Sequence, residues 1–128
     1  MSEAANGVTS ASRLYDLWMA YDEALAQRIR DLVAGAPKLT EKKMFGGLAF
    51  LVGGNMAIAA SGQGGILVRV DPEESSALVA KTAAEVMIMR GRPVEGWLRV
   101  AAEDVRTKRS LAVWVKRGTA YAASLPAK

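Results

Sequence analysis

The middle of the chain breaks into short apolar runs separated by glycine-rich punctuation. Residues 40–45, 47–52, 55–60 and 66–70 are divided by Gly46-Gly47, by Gly53-Gly54-Asn55 and by Ser61-Gly62-Gln63-Gly64-Gly65. Short apolar segments closed by such turns predict antiparallel strands. In the fourth run Ile66, Val68 and Val70 alternate with Leu67 and Arg69, so one face is apolar and the other meets solvent near Arg69. Residues 86–89 and 96–100 read as two further strands. Met87 and Met89 share one face of the first and read as core or interface filler.

On either side of the strands the period changes to that of a helix. From Ala20, the residues Tyr21, Leu25, Ile29, Leu32 and Val33 recur at spacings of three and four. Asp22 and Glu23 suit the positive end of that helix, and Gly35-Ala36-Pro37 stops it. Asp71-Pro72-Glu73-Glu74 predicts a second start, with a capping aspartate and proline at the first helical position, running to about Thr82. A last helix is predicted over 104–125, with Leu111, Trp114, Val115, Gly118, Tyr121, Ala122 and Leu125 on one stripe. Gly118 on that stripe would let the helix approach the sheet closely, and Trp114 and Tyr121 read as core packing. The resulting expectation is an α+β, two-layer domain over 19–128, its antiparallel sheet packed against N- and C-terminal helices. Residues 1–18, rich in Ser, Ala, Asn and Gly, read as a flexible N-terminal extension whose Leu14, Leu17 and Trp18 form one apolar turn docked on the body.

Composition narrows the chemistry. The 128 residues contain no cysteine and no histidine. That excludes disulfides, thiolate chemistry, Ser-His-Asp triads and zinc sites built from Cys or His. General acid–base work would fall to carboxylates, lysines or tyrosines with strongly shifted pKa values. A metal site would need hard oxygen ligands, and no D-x-[DN]-x-[DN]-G loop is present. Glu41, Glu73, Glu74, Glu103 and Asp104 are scattered over helix starts and strand ends, with no catalytic pairing. The expectation is a protein that is not an enzyme, with no cofactor and no metal. No apolar run approaches the ~20 residues that cross a bilayer, and no basic start precedes an apolar block, so the expected location is cytoplasmic, with no membrane.

The stretch M-F-G-G-L-A-F (44–50) invites comparison with a phosphate loop. Such a loop needs G-x-x-x-x-G-K-[ST] opening a helix, but here strand-like Leu-Ala-Phe-Leu-Val follows and the Lys and Ser/Thr are missing. Residues 61–65 also run into a strand. Both clusters therefore read as backbone devices. Met44, Phe45, Gly46, Gly47 and Phe50 form a structural motif in which the glycine pair bends or bulges a strand, and 61–65 makes a hairpin connection.

Seventeen Lys and Arg against thirteen Asp and Glu leave a net charge of +4. A positive balance favours polyanions only if the charge gathers on one face. The candidate partner or nucleic-acid contacts are Lys42, Lys43, Arg69, Arg90, Arg92 and Trp97. Arg90-Gly91-Arg92-Pro93 before Trp97 puts two guanidinium groups near an indole. The plainer reading, a solvated turn with Trp97 under the last helix, is preferred. Lys42-Lys43, Arg106-Lys108-Arg109 and Lys116-Arg117 read as solvated faces. From Leu48 to Ile66 there is no charged residue. That run is expected to be covered either by the helices or by a second copy, in a homodimer.

The strings M-F-G-G-L-A-F-L-V-G-G-N-M (44–56), L-V-R-V (67–70), G-R-P-V-E-G-W (91–97) and R-G-T-A-Y-A-A-S-L-P-A-K (117–128) together resemble the N-terminal domain of the TfoX/Sxy competence-regulator family. The resemblance runs from about Met19 to Lys128. It implies a two-layer α+β fold like that of secretion chaperones, often dimeric, with no enzymatic activity. The implied function is that of a stand-alone interaction or regulatory domain acting through macromolecular binding, with a protein partner. Direct nucleic-acid binding through the basic clusters is the alternative. The full-length regulators carry a second, helical domain to which the resemblance does not extend. Many relatives have a cysteine after the G-x-M where this chain reads Met56-Ala57-Ile58-Ala59-Ala60, so a thiol-dependent role does not transfer.

Overall fold

The computed structural model describes residues 21–44 and 46–128. Phe45, the expected extension 1–18 and its Leu14, Leu17 and Trp18 lie outside those residues. Within them, six strands form one sheet: β1 (Leu39–Met44), β2 (Gly47–Val52), β3 (Asn55–Ala60), β4 (Ile66–Arg69), β5 (Glu85–Met89) and β6 (Arg92–Val100). Every pairing is antiparallel and the order is β1-β2-β3-β4-β6-β5. Three helices accompany it: α1 (Glu23–Val33), α2 (Ser75–Lys81) and α3 (Lys108–Ser124). The expected α+β architecture is what the chain adopts.

Turn chemistry sets the hairpins. Val52 pairs with Asn55 across Gly53-Gly54, and Met89 with Arg92 across Arg90-Gly91. All four turn residues have positive φ, between 53° and 83°. This is the backbone that matches the twist of the strands a two-residue loop must join. Met44 pairs with Gly47, and Gly46, at φ +76°, lies in the connection between β1 and β2. The sequence led us to expect a bend or bulge within one strand at the glycine pair; instead the pair stands at the end of the β1–β2 hairpin. The bulge lies further on. Phe50 pairs with Ile58 and Leu51 with Met56, which leaves Ala57 as the extra residue.

Helix starts also differ from expectation. Thr107 Oγ1 accepts from the Ser110 N–H at 3.0 Å, so α3 starts at Lys108 and residues 102–105 form a separate 3-10 turn. The Asp71 carboxylate accepts from the Glu73 N–H at 2.9 Å, but it caps a 3-10 turn, Pro72–Glu74, from which α2 continues. The final strand is longer than expected because residues 92–95 join it, across an irregularity where Val86 pairs with Leu98 but Met87 with Val94.

The main core lies between the helices and one sheet face. α1 contributes Leu25, Ala26, Ile29 and Val33; α3 contributes Leu111, Trp114, Val115 and Ala122; Phe50, Ile58, Ile66, Val68 and Leu98 rise from the strands. All five strand residues are fully buried, each contributing roughly 1.5–3 kcal/mol of transfer free energy. A second cluster joins Ala49, Met56, Ala59 and Leu67, with Met44, Leu51, Met87 and Trp97 packed against it, and all eight are strand residues. Trp97 belongs here and not under the last helix. Leu98 turns into the main core, and alternation along β6 sends its neighbour to the opposite face.

The uncharged run 48–66 fills β2 and β3, which are interior strands flanked on both sides. Its lack of charge therefore reflects burial within the sheet and not an open edge. No helix among the described residues is long and apolar enough to cross a membrane.

A candidate interaction surface

The candidate contacts divide three ways. Lys42 and Lys43 are exposed on β1, one edge of the sheet. Arg90 and Arg92 are exposed at the tip of the β5–β6 hairpin, on the opposite edge. Five interstrand steps separate those edges, roughly 24 Å. The two basic pairs therefore make no single footprint.

Arg69 and Trp97 do come together. They are cross-strand partners on β4 and β6, and Arg69 Cζ lies 5.2 Å from the centroid of the indole. The same carbon is 5.7 Å from the ring of Tyr121 on α3. One turn back on α3, Arg117 Cζ lies 4.6 Å from the Trp114 ring. Residues four apart sit on one helix face, so Arg117 and Tyr121 are neighbours there. Two ring-braced guanidinium groups thus flank a single turn of the helix. Guanidinium stacked on a ring keeps its in-plane N–H donors free for a carboxylate or phosphate, and the ring pre-sets its orientation.

The two arginines of α1, by contrast, are committed to the fold. Arg28 Nη2 donates to the carbonyls of Val105, Arg106 and Thr107. Arg30 grips Glu41 through two hydrogen bonds, of 2.6 and 2.9 Å, and this bonding holds the Glu41 carboxyl below its ordinary range. Among the described residues, neither Arg69 nor Arg117 has a hydrogen bond or ion pair.

Beside them runs an open groove of about 550 Å³. Val113, Lys116, Arg117, Ala120, Tyr121 and Ser124 of α3 form one wall, and Val70, Asp71 and Glu74 the other. Val113 stands 43% exposed at its lip. The helix is held close to the sheet here because Gly118 packs on the Ala57 carbonyl, as the stripe led us to expect. A smaller cleft of about 340 Å³ lies near Gly64, Arg99 and Asp104, but its arginine already bonds Gln63.

Sequence reasoning identified Arg69 and Trp97. It missed Tyr121 and Arg117, assigning one to the core and the other to a solvated face. The available signal was their i, i+4 spacing at the margin of the apolar stripe. Trp114, 5% exposed, is core as expected. Residues 31–122 match a family model described as the TfoX N-terminal domain. No curated protein matches the chain.

Proposed function

Because the chain belongs to the TfoX N-terminal domain family, we propose that it is a non-enzymatic, competence-regulator-like interaction domain that acts by binding another macromolecule. The groove along α3 is the docking site, and the partner is a protein that presents acidic side chains to Arg69 and Arg117. The observation that carries this reading is that these two guanidinium groups are braced by rings yet, among the described residues, unused by the fold. A chain without cysteine or histidine supports a binding role over a catalytic one. Self-association belongs to the same reading.

Direct nucleic-acid binding is the competing reading, and the separation of Lys42-Lys43 from Arg90 and Arg92 weighs against it. Lysate proteins retained by the wild-type chain are compared with those retained by Arg69→Ala, Arg117→Ala and the double Lys42→Ala, Lys43→Ala variant. The expected result is one partner lost with either arginine, by about 10–100-fold in affinity, and kept with the lysine variant. Equal losses in all three, together with duplex DNA or RNA affinity that falls steeply with salt, would favour the nucleic-acid reading.

A further inference from the structure

The two edges of the sheet are unlike. β1 is guarded: Glu41, Lys42 and Lys43 stand exposed in succession along it. β5 carries no charge from Val86 to Met89, and Ile88 and Met89 are 59% and 41% exposed. An uncharged, apolar edge strand with free backbone groups is a template for another strand.

The direction of those backbone groups follows from the register. Met89 and Arg92 close the two-residue turn as a hydrogen-bonded pair. The next pair, Ile88 with Pro93, is then a non-bonded one, which suits proline because it has no N–H to give. Ile88 therefore turns its N–H and C=O outward. The Val70 N–H donates to the Gly96 carbonyl at 2.8 Å. Gly96 and, by alternation, Leu98 thus address β4, and Val86, opposite Leu98, also faces outward.

We propose that β5 is the seam of a two-fold dimer, in which β5 of a second copy adds antiparallel to this edge with Met87 facing its own counterpart. In that register the outward groups of Ile88 meet those of Val86 in the other copy. Charge supports the antiparallel sense. The strand begins with exposed Glu85 and ends at exposed Arg90 and Arg92, so the two-fold sets the acidic start of each strand beside the basic turn of the other. Met87 also belongs to the second apolar cluster, so its pairing makes the clusters of two copies continuous. The inference rests on the reading of this domain as a self-associating one and adds the surface.

Sedimentation at tens of micromolar and a cysteine cross-link test it together. The chain has no cysteine, so Met87→Cys introduces a single thiol. Directly opposed residues in a non-bonded antiparallel pair hold their Cβ atoms about 4.5–5.5 Å apart, close to disulfide range. The expected results are a wild-type mass twice 13.6 kDa, a monomer for Ile88→Lys, and oxidative dimers of Met87→Cys but not of Thr40→Cys on β1. Ile88→Lys places its charge at an exposed position, so folding is retained and is checked by circular dichroism. A monomeric wild type overturns self-association and seam alike. A dimer that survives Ile88→Lys, or Met87→Cys that gives no cross-link, leaves self-association standing and overturns the seam.

Discussion

Gly118 and Gly47 each sit where one added methyl group would strike a backbone carbonyl, that of Ala57 for the first and of Ala60 for the second. Both carbonyls belong to β3, a strand interior to the sheet and buried along its whole length, so the collision has no cheap outlet. Gly118→Ala should lower stability by about 1–3 kcal/mol, the usual range for overpacking, read as a fall in Tm. Gly46, at φ +76°, where an added Cβ would meet Gly62 only at an ordinary 4.0 Å, fails for a different reason. Gly46→Val should cost about 1–3 kcal/mol through backbone strain alone, and an unchanged Tm would contradict its role in the turn. The residue scale was partly legible in advance. A glycine interrupting an apolar helical stripe announced close approach, and alternation along β4 announced the outward Arg69. Tyr121 was not legible, because periodicity gives its angle on the helix but not where the sheet beneath it ends.

Between elements, Arg30 and Glu41 fasten α1 to the edge strand β1. Hydrogen bonding from Arg30 favours the charged carboxylate and lowers its pKa in the folded state, outweighing the opposing effect of partial burial. A carboxyl with a depressed folded-state pKa stabilises above its unfolded pKa of about 4.3 and loses that contribution as pH falls through the folded value. Glu41→Gln should therefore reduce Tm near neutrality, with the gap to wild type closing as pH falls below about 4. Thermal melts at pH 7 and pH 3 check this, and a gap that persists at pH 3 would exclude the ion pair as its cause. The strand segments were largely legible because glycines bound them. Helix starts were less so: the caps at Asp71 and Thr107 depend on which side-chain oxygen reaches which N–H, and several residues nearby compete for that place.

Across the whole molecule, the last residues latch onto the β2–β3 turn. The Lys128 N–H donates to the Gly53 carbonyl at 2.8 Å. Asn55, 2% exposed, donates through Nδ2 to the Pro126 carbonyl at 2.9 Å. Removing residues 126–128 would leave that buried amide unsatisfied, at a cost of about 1–3 kcal/mol. Chemical denaturation of the shortened chain should show a lower midpoint at an unchanged slope. Sheet order was the least legible property. Six strands were visible in the sequence, but β6 inserts between β4 and β5, and nothing local says so. That insertion is why the open edge falls on β5 and not on β6.

Unequal edges also set how many neighbours one sheet can recruit. With β1 closed by its charges and β5 the proposed seam, each molecule would have a valence of one, and strand addition would terminate at a pair. Replacing Glu41, Lys42 and Lys43 together by threonine would raise the valence to two. Each sheet could then grow from both sides, and light scattering should climb with concentration without reaching a plateau. On this view the lysines of β1, considered first as contacts for a polyanion, act as chain terminators that keep a sheet-rich protein from polymerising.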